Sequence, residues 1–166
     1  MEPQDKRQQW LDEAAAMRAR PAAPGVADRA TLRSSGALPP APIAHLMGIL
    51  PMSVEPGRTV FQGTPERAHY NPSGVVHGGY AATMLDTALG CALHTMLPAG
   101  KGYTTLELKV NYIRAMTDTT GPVRAEATVV SVGGQVGVAE ARITDANGKL
   151  YAFATTTCLV FEISAG

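Results

Sequence analysis

Residues 79–96 contain no proline and a single charged side chain, Asp86, in a run dominated by Ala, Leu and Met. Folded as a helix, this run is apolar on nearly every face, and such a helix has to be enclosed by protein. Four stretches of alternating polarity follow, residues 104–113, 123–132, 136–144 and 150–163, each rich in Val, Thr, Ile, Leu or Tyr. Short turn signals join them, Gly121-Pro122, Gly133-Gly134 and residues 145–148, so the strands are read as antiparallel neighbours. In the first, Leu106, Leu108, Val110 and Tyr112 share one face while Glu107, Lys109 and Asn111 share the other, as a half-buried strand requires. An apolar sheet face and an apolar helix satisfy each other. The expected class is α+β, an antiparallel sheet of about five or six strands wrapped around one long central helix.

The rest of the chain divides around that unit. Trp10, Leu11, Ala14, Ala15 and Met17 have the spacing of a short amphipathic helix over residues 5–20. Pro21, Pro24, Pro39, Pro40 and Pro42, set among Ala, Gly and Ser, resist regular structure. Residues 1–42 are therefore read as an N-terminal helix and a Pro/Ala-rich linker or arm, and residues 43–166 as the domain. Within the domain, residues 43–50 suit a short helix ended by Pro51, and residues 52–70 one or two strands interrupted by Pro56-Gly57 and Pro65.

Bulk charge removes several classes of function. Lys+Arg 14 against Asp+Glu 14 leaves no net charge, so the long-range attraction on which nucleic-acid and anionic-membrane binders rely is missing. Cys91 and Cys158 lie in apolar stretches without CxxC spacing and read as buried small hydrophobes, not as a disulfide or a zinc site. The first residues lack the apolar core of a signal peptide and no run approaches membrane-spanning length, so a cytoplasmic protein is expected.

The chemistry concentrates where the polar, glycine-rich run Asn71-Pro72-Ser73-Gly74-Val75-Val76-His77-Gly78-Gly79 feeds the apolar helix. The first N–H groups of a helix have no intrahelical acceptor, and at Gly78 and Gly79 no side chain keeps a ligand oxygen away. Such amides can hold the negative charge of a tetrahedral intermediate in acyl transfer. Asp86, two turns further on, is costly on an enclosed helix unless a basic or hydroxyl partner holds it or chemistry uses it as base or nucleophile. Eight residues at about 1.5 Å rise separate Gly78 from Asp86 by ~12 Å along the axis. Reacting atoms must approach within about 3 to 3.5 Å, so if both residues act, Asp86 of one subunit faces Gly78 of another and the active unit is a homodimer.

The run His77-Gly78-Gly79, preceded by Asn71 and followed by Asp86, resembles the hotdog-fold acyl-CoA thioesterases of the phenylacetate-pathway type, within the 4-hydroxybenzoyl-CoA thioesterase superfamily. Thr104-Thr105, residues 110–114, Gly133-Gly134 and residues 145–150 carry the same resemblance over residues 43–163. It implies that Asp86 is the catalytic acid, that the Gly78 N–H binds the thioester oxygen, that Asn71 orients the nucleophile or carbonyl, and that His77 is the motif histidine beside them. Thr105 is the expected hydroxyl near the acid, with Thr104 as its alternative. Gly79, Thr104, Gly134 and Arg114 are the expected substrate contacts, Gly134 near the pantetheine arm and Arg114 toward coenzyme A phosphates. The resemblance further implies dimers that pair into homotetramers.

His77 reads equally as a general acid for the leaving thiolate and as a fastener of its own loop. His45, His69 and His94 have no metal spacing, and Cys91 near His94 lacks the electropositive setting of a nucleophile. No metal or redox cofactor is expected. Thioester hydrolysis of an acyl-CoA is the leading reading, against a hotdog acyl-CoA dehydratase or hydratase and a non-catalytic acyl-CoA-binding module on the same fold.

Overall fold

The computed structural model describes residues 3–18, 41–98 and 100–163. Along the chain lie α1 (Pro3–Arg18), α2 (Pro42–Leu46), β1 (Leu50–Glu55), β2 (Arg58–Gly63), a 3-10 turn (Arg67–His69), α3 (Gly78–His94), β3 (Lys101–Tyr112), β4 (Val123–Val132), β5 (Val136–Asp145) and β6 (Leu150–Glu162). The six strands form one antiparallel sheet in the order β1-β2-β4-β5-β6-β3. This is the hotdog arrangement, a long helix held in the curl of a single sheet. Pro51 does not end a helix, as expected from sequence, but lies inside β1; the helix before it is shorter and stops at Leu46.

β4, β5 and β6 follow one another as short turns require, but β3 does not neighbour β4. It crosses over and pairs along its length with β6, which leaves its other side as a sheet edge. The single-face reading of β3 also needs correction. The register of β3 against β6 slips between Thr105 and Glu107, a β-bulge at Leu106. Before the bulge Thr105 stands opposite buried Cys158, and after it Leu108 stands opposite buried Thr156, so the inward parity changes from odd to even residues. Leu106 is the extra residue and is 61% exposed.

α3 packs Met84, Leu85, Ala88, Leu89, Ala92 and Leu93 against Phe61 of β2, Val123, Ala125 and Ala127 of β4, Ala139, Ala141 and Ile143 of β5, and Ala152, Ala154 and Cys158 of β6. Burial of each large aliphatic side chain contributes about 1.5 to 3 kcal/mol. Thr59 Oγ1 donates to the Ala88 carbonyl at 2.8 Å, the one inward polar group of β2 being satisfied on the helix itself. The expectation of a fully enclosed helix holds only for this side. Asp86 is exposed, and Ala82, Thr83, Thr87, Cys91 and His94 are half-buried, because the sheet curls around α3 without closing. Cys158 is buried as expected; Cys91 lies on the uncovered side.

α1 lies on the outer face of the sheet. Trp10 is buried there, with the Arg124 guanidinium 4.0 Å from its ring centre. Gln62, itself buried, donates from Nε2 to the Trp10 carbonyl at 2.9 Å and accepts from Arg124 Nε at 2.9 Å. The Gln62 amide thus links α1 to Arg124 of β4. The expected linker, residues 21–40, lies outside the described residues. Among the described residues no helix is long and apolar enough to cross a membrane.

Replacing Trp10 by Ala is expected to lower the unfolding free energy by about 3 kcal/mol, the low end for truncating a buried aromatic side chain. Urea melts of both proteins measure it. Because Trp10 is the only tryptophan, the wild-type melt followed by its fluorescence should coincide with that followed by circular dichroism. Two separate transitions would mean that α1 is not part of the folding unit.

Candidate active site

The loop leading into α3 is stiffened by its own side chains. Asn71 Oδ1 accepts from the N–H groups of Ser73 at 2.9 Å and Val75 at 3.4 Å, and the Asn71 N–H donates to the Val75 carbonyl at 2.8 Å. The side-chain oxygen of Asn71 therefore shapes the turn. His77 is the N-cap of α3, and its Nδ1 accepts from the Gly79 N–H at 2.8 Å. An imidazole holding that bond is neutral at Nδ1, which favours the fastening role for His77 over that of an acid at this atom. It also occupies the Gly79 amide. The Gly78 N–H has no acceptor among the described residues and is left as the available donor at the helix start.

A cleft of about 280 Å³ opens beside that amide, between the α3 start, the segment 112–116 after β3, and the start of β6. Val76, Ala81 and Met116 give it apolar walls, and Tyr112, Arg114 and Tyr151 bring polar groups to it. The Tyr112 ring covers Gly78 so closely that a methyl group at this position would lie 3.1 Å from the ring, and the exposed ring would have to give by a few tenths of an ångström. Arg114 donates from Nη1 to the Leu150 carbonyl at 3.0 Å, which fixes the guanidinium at the cleft. The phenol of Tyr151 is pushed above its ordinary pKa by burial first, then by the charge of Asp145 and the 3.1 Å bond it donates to Asp145 Oδ2, against a smaller opposing effect of Arg114. Tyr151 is therefore a neutral hydroxyl at physiological pH.

Asp86 lies away from this cleft. Its Oδ1 accepts from Thr105 Oγ1 at 3.0 Å, and the carboxylate is exposed. Of the two threonines considered, it is Thr105 that meets the acid; Thr104, on the other face of β3, is exposed. The bulge at Leu106 decides between them, since without it the even-numbered inward face of Leu108 and Val110 would continue through Thr104. Thr156 Oγ1, in the buried layer, donates to the Glu107 carbonyl at 2.7 Å and so satisfies the backbone that the bulge displaces.

Gly134 sits in the β4–β5 turn, its carbonyl 3.5 Å from Lys101 Nζ, at the opposite end of β3 from Tyr112. Within one chain the sites divide into Gly78, Gly79, His77 and Arg114 around the cleft and Asp86 with Thr105 one helix face away; Asn71 serves the loop and Gly134 neither group. Tyr112, Tyr151 and Thr156 were not singled out from sequence. Nothing in a strand pattern says which threonine of Thr155-Thr156-Thr157 meets a bulge, nor that Tyr112 crosses to Gly78. Among the described residues no group of three or more His, Cys, Asp or Glu side chains could hold a metal ion.

A helix start with one unclaimed amide, and a carboxylate on the same helix beside a hydroxyl of β3, set in a hotdog sheet, suit acyl-transfer chemistry. A sequence model of the Thioesterase superfamily matches residues 73–152. A candidate esterase of Saccharolobus solfataricus is 32% identical over 108 residues, 65% of this chain and 75% of that one. The 1,4-dihydroxy-2-naphthoyl-CoA hydrolase of Listeria monocytogenes is 27% identical over 118 residues, 71% of this chain and 94% of that enzyme. A candidate esterase of Halobacterium salinarum is 45% identical over 74 residues, 43% of this chain, and the match spans about half, 47%, of its own length. Among solved structures, a phenylacetic acid degradation-related protein of Ralstonia eutropha superposes with a TM-score of 0.72 at 26% identity, covering 80% of this chain and 99% of that one. The chain belongs to the thioesterase superfamily.

Replacing Thr156 by Val keeps the shape and removes the hydroxyl that supports the bulge. The expected cost is about 1 kcal/mol, since the Glu107 carbonyl loses a part-buried hydrogen bond. Chemical denaturation measures this, and an unchanged midpoint would show that the bulge holds without Thr156.

Proposed function

We propose that the protein hydrolyses an acyl-CoA to the free acid and coenzyme A, in a homodimer whose two active sites each take Gly78 from one subunit and Asp86 from the other. The observation that carries this reading is the exposed Asp86 carboxylate, pre-oriented by Thr105 on the side of α3 that the sheet leaves bare. A carboxylate so placed, with half-buried Ala82, Thr83 and Thr87 around it, suits a site that a second chain completes. The edge of β3 supports the same idea. It is the free side of a long edge strand bearing exposed Leu106 and Tyr112, an edge that natural proteins pair or protect. Antiparallel pairing of β3 with its copy about a twofold axis would bring Asp86 and Thr105 of one subunit toward Gly78 and Tyr112 of the other. It would bring Lys101 and Gly134 toward the same cleft.

The thioester carbonyl rests on the Gly78 N–H, where the helix dipole and the unclaimed donor favour negative charge. Asp86 of the partner takes a proton from water as its oxygen bonds to the acyl carbon. The tetrahedral intermediate then collapses, the C–S bond breaks, and the proton passes to the departing thiolate. In the alternative course, an Asp86 oxygen bonds to the acyl carbon and the C–S bond breaks to release the thiolate; water then cleaves the resulting anhydride, which frees the acid, restores the Asp86 carboxylate and supplies the proton that the thiolate takes up. Arg114, a fixed cation at the cleft, suits a coenzyme A phosphate by charge-assisted bonds. The acyl-CoA substrate of the Listeria relative agrees with this class.

Asp86→Asn is expected to lower kcat by about 10²- to 10⁴-fold in a free-thiol release assay over a panel of acyl-CoAs. Gly78→Pro removes the amide at a helix position that tolerates proline, while its ring presses on Tyr112 as any added Cβ would; loss of the amide should lower kcat by about 10²- to 10³-fold. Random mixing of these two inactive variants restores one intact site in each mixed dimer, hence about a quarter of wild-type turnover. No recovery would place both residues in the same subunit's site and end the shared-site reading. Saturable ligand binding with no thiol release from any acyl-CoA would replace hydrolysis by a binding role.

Single turnover in heavy-oxygen water tests the anhydride course. Label appearing in the Asp86 carboxylate establishes an anhydride opened at the Asp86 carbonyl, and label confined to the product acid excludes that opening.

A further inference from the structure

The Gly78 amide is only as well placed as the loop before it, and that loop is tied to the opposite wall of the cleft by a residue outside the reacting groups. Tyr70, at the end of the 3-10 turn, donates from Oη to Asp118 Oδ1 at 2.7 Å and accepts from the Asp118 N–H at 3.0 Å. Asp118 sits at the tip of the β3–β4 connection, in a turn closed by Thr117 and Thr120: the Thr120 N–H reaches the Thr117 carbonyl at 3.0 Å and the Thr117 N–H reaches Thr120 Oγ1 at 2.8 Å. The Arg67 guanidinium lies 5.4 Å from the Tyr70 ring centre and 3.9 Å from Asp118 Oδ2, partial support from an exposed side chain.

These contacts sit in series with the cleft. Tyr70 forms a lone β-bridge with Val76, and the Val76 N–H donates to the Met116 carbonyl at 2.9 Å. Val76 and Met116 are facing walls of the cleft, and His77 and Gly78 follow directly. The far end of the connection is anchored separately, the N–H groups of Ile113 and Arg114 both donating to the Tyr151 carbonyl at 2.8 and 3.1 Å. The connection is therefore held at its start by β6, at its middle by Val76 and at its tip by Tyr70. Among the described residues, removal of the tip contact leaves the loop before α3 attached to the opposite wall through the Val76–Met116 backbone bond and apolar packing.

We propose that Tyr70 and Asp118 form a clasp that sets the spacing of the cleft walls and the aim of the Gly78 N–H, acting as positioning residues for thioester hydrolysis; this rests on the catalytic reading above. A hydroxyl that both gives and takes a bond with one residue fixes direction as well as distance. A donor that must meet a developing oxyanion needs that control, because misplacement by about 1 Å costs on the order of a hundredfold in rate.

The test uses the full-length protein with Tyr70→Phe, Asp118→Ala and Asp118→Asn. Tyr70→Phe and Asp118→Ala are expected to lower kcat by about tenfold or more with KM changed by less than about twofold. Asp118→Asn keeps an acceptor oxygen and the backbone N–H, and should restore most of the kcat that Asp118→Ala loses. Amide hydrogen exchange across residues 76–79 should accelerate in the first two variants and stay near wild type in the third. Unaltered exchange with unaltered kcat, or a loss of kcat and rise of KM in equal proportion, overturns the clasp. The exchange measurement needs no turnover. If the wild type releases no thiol from any acyl-CoA, the hydrolase reading fails while exchange at residues 76–79 still decides whether the clasp exists.

Discussion

Alanine lines the inner face of the strands that meet α3, at Ala125, Ala127, Ala139, Ala141, Ala152 and Ala154. With those side chains reduced to methyl groups, the larger residues of the helix, Met84, Leu85, Leu89 and Leu93, fill the space between the two layers at native density. Apart from Tyr80, whose hydroxyl is buried against Gly63 of β2, the polar side chains of α3 are confined to the other side. Asp86 cannot point into this packing without losing its hydration, and the helix phase set by the aliphatic residues carries it to the open face. The packing that holds the helix is also what delivers the carboxylate.

The same helix presents its second functional group at its end. Capping by His77 consumes the Gly79 amide and leaves that of Gly78, so the loop acts as a filter that selects one donor from several. The selection depends on Asn71, expected to orient the nucleophile or carbonyl, and on His77, read equally as a general acid and as a fastener of its loop: Asn71 Oδ1 and His77 Nδ1 both accept from their own backbone and so shape the loop. Carboxylate and amide then lie on one rigid rod, too far apart to share a carbonyl within one chain.

Much of the fold was legible because its signals are local. Residues 123–132 were bounded correctly by Gly121-Pro122 and Gly133-Gly134, and α3 was visible as a run in which apolar residues outlast any amphipathic pattern. The position of β3 was not legible, because alternation says that a strand has an apolar face and nothing about which neighbour it pairs with. The threonine that meets Asp86 was ambiguous for a sharper reason. A strict two-residue period assigns Thr104 to the face of Leu108 and Val110, and only the extra residue Leu106 brings Thr105 inward.

Sequence by itself determined the composition of the site and the hydrophobic logic of the domain: a lone Asp inside an apolar helix, glycines at its start, and alternating strands to cover one side. These follow from periodicity and from the cost of burying charge, both of which act within a few residues along the chain. Tertiary structure alone decided which groups meet. The bulge supported by Thr156, the covering of Gly78 by Tyr112 and the bond between Tyr70 and Asp118 each join residues distant in sequence. Such meetings depend on how the strands are ordered and how far each is shifted, and a shift of one residue reverses which side chains face the helix.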